Sequence, residues 1–246
     1  MKLVTRHLRP IVALFMTAIL LPFADLQAQR RHKQVFRAYP VVGATASQIR
    51  GDELRGFKKW GVTAGVGTIL SLDDKDRWDL SIEADFSQRG AFNNTIDPYS
   101  LFDFTLNYVD IPVAVHFTDP WGGITIGAGL TYSRLVQQPH GEIRYTPTYF
   151  VPDTSDMSFL KNDFAAVLDL RFPIWKGLTF NVRFQHSILP VKKSWTFTEY
   201  NPLFSGGSDS WSNALYNSSV SVRILYVFGE QKHYNKYNKK KRYKRR

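Results

Sequence analysis

The sequence predicts an all-β chain: an eight-stranded antiparallel up-and-down transmembrane β-barrel with short periplasmic turns and longer extracellular loops. Three observations carry this reading. The N-terminus has the form of an export signal, eight later segments alternate apolar and polar residues, and the links between them alternate short and long. Strict period two puts successive side chains on opposite faces of a strand. Such strands, repeated after an export signal, fit a barrel with lipid outside and a polar lumen inside.

Taken in order, Lys2, Arg6 and Arg9 precede an apolar run, Ile11–Phe23, that has signal-peptide length and is too short to span a bilayer as a helix. Leu26-Gln27-Ala28 reads as the expected cleavage site, although Leu26 is not the ideal small residue at its position. Residues 1–28 are therefore read as signal peptide, 29–38 as a periplasmic N-terminal segment, 39–229 as the barrel and 230–246 as a disordered basic periplasmic tail.

Segment one is weak, with Val42, Ala44 and Ala46 against Gly43, Thr45 and Ser47. Segment two, Trp60–Ser71, sets Trp60, Val62, Ala64 and Val66 against Gly and Thr. Segment three is faultless: Trp78, Leu80, Ile82, Ala84 and Phe86 oppose Asp79, Ser81, Glu83, Asp85 and Ser87. Segment four, Thr105–Phe117, turns Val109 to Phe117 outward and Tyr108, Asp110, Ala114 and His116 inward. Segment five, Gly123–Tyr132, opposes Ile, Leu and Tyr to Gly and Thr. Segment six turns Asp163, Asp169 and Arg171 inward, segment seven Asn181, Arg183 and Gln185, and segment eight Ser219, Ser221 and Arg223. Each is long enough for a tilted strand to cross a bilayer.

Links two, four and six are short and carry turn chemistry at Asp73-Asp74, Asp119-Pro120 and Lys176-Gly177. Links one, three, five and seven are longer: about 49–59, 90–104, 135–162 and 188–217. A soluble sandwich has no reason to gather its long loops at one end. Trp78, Phe117, Phe172, Tyr226 and Phe228 fall at the periplasmic strand ends and Trp60, Phe86 and Tyr132 at the extracellular ends, where interfacial aromatics belong.

The chain has no cysteine, which excludes disulfides, thiolate catalysis, Cys-based zinc and lipoprotein attachment. Its net charge of +11 is uneven. Residues 230–246 hold nine basic side chains against one acid, while residues 29–229 hold 20 against 19.

Three blocks resemble a known family. They are Ser47-Gln48-Ile49-Arg50-Gly51-Asp52 with Gly56-Phe57-Lys58-Lys59-Trp60-Gly61, then Phe86-Ser87-Gln88-Arg89-Gly90-Ala91, then Leu106-Asn107-Tyr108-Val109-Asp110-Ile111-Pro112-Val113. In order and spacing the chain from about Tyr39 to Phe228 is similar to the small outer-membrane β-barrels of Bacteroidetes, called PorT-like or porin-family proteins. The resemblance implies an eight-stranded outer-membrane barrel and, through the name-giving member, a link to type IX protein secretion. The long basic tail after Phe228 departs from it.

An eight-stranded barrel is filled by its own inward side chains. Segments three and four supply Asp79, Glu83, Asp85 and Asp110, and segments six to eight supply Asp169, Arg171, Arg183 and Arg223. Strands three and four lie across the lumen from seven and eight, so an acidic wall is expected to meet a basic wall through salt bridges. A structural network is the plainer reading, an ion path or gate the sharper one. His116 reads as a hydrogen-bonded lumen residue rather than a metal ligand, since no second histidine has ligand spacing. His186, on the lipid-facing side beside Ser187, admits a lipid-modifying enzyme, but no carboxylate is placed to complete a triad. No nucleotide or metal motif is present, so no cofactor and no metal is expected.

Tyr145, Tyr149, Phe150, Trp195, Tyr200 and Trp211 sit in the long links, either as contacts for a partner or glycan or packed together. In the tail, Lys232, Lys236, Lys239, Lys240, Lys241, Arg242, Lys244, Arg245 and Arg246 would meet an anionic periplasmic partner: peptidoglycan, inner-leaflet headgroups or an acidic protein. An exported chain meets no cellular nucleic acid. The expectation is a non-enzymatic barrel in contact with outer-membrane lipid, a structural or accessory part of the envelope with secretion-machinery partners. The alternatives are a small ion or solute channel and a lipid-modifying enzyme.

Overall fold

The computed structural model describes residues 36–52, 56–73, 75–94, 101–144, 150–152, 158–200 and 208–228. The expected signal peptide and basic tail lie outside these residues. Ten strands follow in chain order: β1 Phe36–Arg50, β2 Lys59–Ser71, β3 Trp78–Asn94, β4 Leu101–Thr118, β5 Thr125–Arg144, β6 Phe150–Pro152, β7 Asn162–Trp175, β8 Leu178–Ser187, β9 Lys192–Tyr200 and β10 Ser208–Tyr226. Eight of them form an antiparallel meander, β1-β2-β3-β4-β5-β7-β8-β10, which closes because β10 also pairs with β1 from Val41↔Leu225 to Arg50↔Tyr216. This is the expected eight-stranded barrel, and closure leaves no open sheet edge in its wall.

The faces follow the alternation. β7 runs exposed-buried without a break from Asn162 to Arg171. Trp60, Val66, Ile126 and Leu130 stand on the outside, each more than half exposed, while Asp169 and Glu83 are sealed inside. The short turns are made by local chemistry. Asp73 Oδ1 accepts the backbone N–H groups of Arg77 and Trp78. Lys176 and Gly177 both take positive φ, as a two-residue hairpin between β7 and β8 requires. Cross-strand aromatic pairs mark this end: Trp78 with Phe117 at 5.0 Å and Phe172 with Phe180 at 6.2 Å.

The strands outrun the expected segments. β1 starts at Phe36, inside the segment expected to precede the barrel, because Tyr39 and Val41 face inward there. Apolar residues on both faces erase the hydropathy contrast, so this part of the strand is invisible to a period-two reading. At the long-link end β3, β4, β5 and β10 run on through stretches read as loops. There the outer face is no longer uniformly apolar, and the backbone pairing continues without the pattern. β9 pairs with the early half of β10, and β6 adds to β9, forming a small second sheet at that end.

Candidate functional site: the filled lumen

The lumen is built on glycines opposite large side chains. Gly67 is paired with Glu83 and Tyr39, and a Cβ there would come within 2.5 Å of the Tyr39 ring. Gly65 floors Asp85, Gly43 floors Arg223 and Gly127 floors His116 in the same way. The missing side chains on β1, β2 and β5 make room for Tyr39 and for the long polar side chains of β3, β4 and β10 that lean over them.

At the centre, Glu83 receives three arginines. Arg183 donates Nη1 and Nη2 to its two oxygens at 2.9 Å each, Arg223 donates Nη1 at 2.9 Å and Arg171 donates Nη2 at 3.3 Å. Tyr39 adds its hydroxyl at 2.6 Å. Asp169 answers from the other wall, accepting Arg183 Nε at 2.8 Å and Nη2 at 2.7 Å, with His116 Nε2 at 3.1 Å. Asp85 lies 3.2 Å from Arg223 and 3.5 Å from Arg183. Asn181 accepts Arg223 Nε at 2.7 Å and so orients that guanidinium. Every member is buried. In such a medium a charge is tolerated only with partners, and here each has several.

Six of the eight residues singled out from the sequence therefore meet: Glu83, Asp85, Asp169, Arg171, Arg183 and Arg223. The other two do not join this cluster. Asp79 pairs with Arg37 of β1 at 3.0 Å, nearer the short-turn end. Asp110 pairs with Arg89 of the neighbouring strand β3 and accepts Ser87 Oγ at 2.8 Å. Arg37, Tyr39 and Arg89 escaped the sequence reading, yet a signal existed. Each continues the inward parity of its strand beyond the point where the outer alternation fades. His116 is a hydrogen-bonded lumen residue, as expected, and its partner Asp169 makes it a member of this cluster.

Between the two ion clusters lies a polar cavity of about 10 Å³, room for one water, lined by Thr63, Ser87, Gln185, Ser219 and Ser221 among others. Beyond Arg89, Asn217 donates to the Tyr108 hydroxyl at 3.1 Å and to Asp163 at 3.3 Å.

Apolar layers close both ends. Tyr39, Val41, Ile69, Leu225 and Val227 pack at the short-turn end. At the long-link end Phe104, Leu106, Leu135, Phe159, Val191, Trp195 and Leu215 form a cap. Segments outside the barrel wall supply part of it, held by Leu160 N–H to Val191 O and Val191 N–H to Leu215 O, at 2.8 and 2.7 Å. Trp195, one of the aromatics considered as an exposed contact, is buried in this cap against Phe104, and Trp211 packs on it. Tyr145 and Tyr149, and the side chains of Phe150 and Tyr200, lie outside the described part.

His186 faces outward and its Nδ1 lies 2.6 Å from Ser218 Oγ, whereas Ser187 turns inward to Asp163. Among the described residues no carboxylate bonds to His186, and no group of three His, Asp or Glu side chains is placed to hold a metal.

The chain matches the family model described as "outer membrane protein beta-barrel domain" over residues 16–228. Among solved structures it is similar to the Yersinia pestis outer membrane protein Ail, with 12% identity, a TM-score of 0.42 and coverage of 78% of this chain and 99% of that one. Neisserial surface protein A gives 11% identity and a TM-score of 0.42 over 77% and 96% of the two chains. OprG from Pseudomonas aeruginosa gives 10% identity and a TM-score of 0.36 over 79% and 97%. No curated protein sequence matches significantly.

Proposed function

The chain belongs to the family of outer membrane protein β-barrel domains, and from that premise we propose that it serves the envelope as a sealed, non-enzymatic barrel, a structural or accessory component rather than a pore. One observation carries this reading. The buried ion cluster on Glu83 and Asp169 crosses the lumen between two apolar layers, and the polar cavity between it and the Arg89–Asp110 pair has room for about one water.

The sealed lumen moves the working surfaces to the two ends. The basic tail, Lys232 to Arg246, is the part we assign to an anionic periplasmic partner: peptidoglycan, inner-leaflet head groups or an acidic protein. Each basic residue near an anionic surface contributes about 1 kcal/mol. The resemblance to PorT-like proteins suggests type IX protein secretion as the machine served.

Planar-bilayer recording tests the seal. The purified protein should show no steady conductance, and a stable open level altered by Arg183→Ala or Arg223→Ala would make the chain a small ion channel instead. A pull-down of the full chain against one ending at Phe228 tests the tail. Periplasmic partners should come down with the full chain alone, and an identical set from both would remove the tail from the reading.

A further inference from the structure

We propose that the outer surface of β5 and β7, at the extracellular edge of the apolar band, binds the phosphorylated head group of an outer-leaflet lipid. Four side chains form the corners of this patch. Arg134 and Asn162 are direct cross-strand partners, and so are Tyr132 and Phe164 two residues nearer the membrane. The two rings pack with centroids 5.3 Å apart. Asn162 Oδ1 accepts both the Tyr132 hydroxyl, at 3.0 Å, and Arg134 Nη1, at 2.6 Å. The guanidinium is thus held above an aromatic floor with one of its five N–H groups engaged, the others remaining for an acceptor from outside. Lys161, the residue before Asn162, is exposed at the same rim, and its carbonyl accepts the Leu135 N–H at 2.7 Å.

The height fits a head group. From Ile124 to Arg134 the strand climbs about 25 Å at roughly 3.4 Å per residue and a tilt of about 40°, the thickness of the apolar band of such a barrel. At the opposite rim Lys75 and Arg77 are exposed in the same short turn as Asp73 and Asp76. A guanidinium with unengaged N–H groups complements a phosphate better than a neutral head group, and the exposed Lys161 adds positive charge at the same rim as Arg134. The apolar floor of Tyr132, Phe164 and Leu130 favours a phosphate that carries acyl chains over a free one.

The full chain in nanodiscs of zwitterionic lipid, offered bis-phosphorylated or dephosphorylated lipid A, tests this by native mass spectrometry. The wild type should retain the phosphorylated form about tenfold better. Arg134→Gln with Lys161→Gln should remove most of that preference, and Arg134→Lys should keep part of it. Lys75→Gln with Arg77→Gln, the same charge change at the opposite rim, should leave it intact. Heat-modifiable mobility on electrophoresis verifies that each variant is folded. The proposal is overturned by equal retention of both lipids, by an unchanged preference in the Arg134 and Lys161 variant, or by equal loss in the opposite-rim variant. Displacement of the lipid by inorganic phosphate at matched concentration would reassign the patch to free phosphate and overturn it as well.

Discussion

Replacing Glu83 by Gln keeps the shape of the side chain and removes its charge. Four guanidinium hydrogen bonds, at 2.9, 2.9, 2.9 and 3.3 Å, then lose their ionic acceptor. Each charge-assisted bond contributes roughly 1.5–3 kcal/mol on its own, but the values do not sum, because Asp169 and Asp85 still hold the three arginines. The appropriate scale is a buried pair deprived of one member, about 3–5 kcal/mol. With a urea slope of about 2 kcal/mol per molar, the unfolding midpoint should fall by roughly 2 M. Tryptophan fluorescence during reversible urea unfolding from lipid vesicles reads that midpoint directly. Adding Arg223→Gln to the Glu83→Gln protein should cost less than it does in the wild type, by about 0.5–3 kcal/mol of coupling. A loss below about 1 kcal/mol, or additive single changes, would refute the reasoning, because it would mean that water reaches these charges and shares the work.

Other outcomes follow from the same geometry. Gly127→Val puts a branched side chain into the His116 ring, so the folded, heat-modifiable band should be largely lost; a normal yield would show that His116 has room to move. Trp195→Ala should loosen the cap by about 3–5 kcal/mol locally, read as protease cleavage near β9 while the barrel band persists. Leu130→Arg, on the lipid face near mid-band, should cost about 2–4 kcal/mol by the urea assay, while Asp103→Asn at the exposed rim should cost less than about 1 kcal/mol.

The barrel was legible in the sequence because lipid outside and polar filling inside impose the same period on every strand. Segment three shows this best, with Trp78 to Phe86 outside and Asp79 to Ser87 inside. The reading failed where that contrast fails. Tyr39 and Val41 place apolar groups inside β1, and the ends of β3, β4, β5 and β10 leave the apolar band, so parity outlives hydropathy. Within the lumen, strand order made it possible to oppose Glu83 to Arg183 and Arg223. It could not tell that Asp110 would turn to Arg89 on the adjacent strand, since that choice depends on rotamers and height. The cap was hidden for another reason. Trp195 lies in β9, where only Trp195 and Phe197 alternate with polar residues, and its burial depends on Phe159 and Val191, which non-strand segments bring across the barrel mouth.

The glycine floors of the lumen have a consequence for how this chain can change over generations. Gly67 exists for Tyr39, Gly65 for Asp85, Gly43 for Arg223 and Gly127 for His116. Enlarging a floor without shrinking its occupant creates a collision, and shrinking an occupant alone opens a hole beside unpaired charge. Drift at these positions is therefore allowed only in linked steps, floor and occupant together. In an alignment of relatives, His116 and Gly127 should covary as a unit, while neighbours on the lipid side vary one at a time.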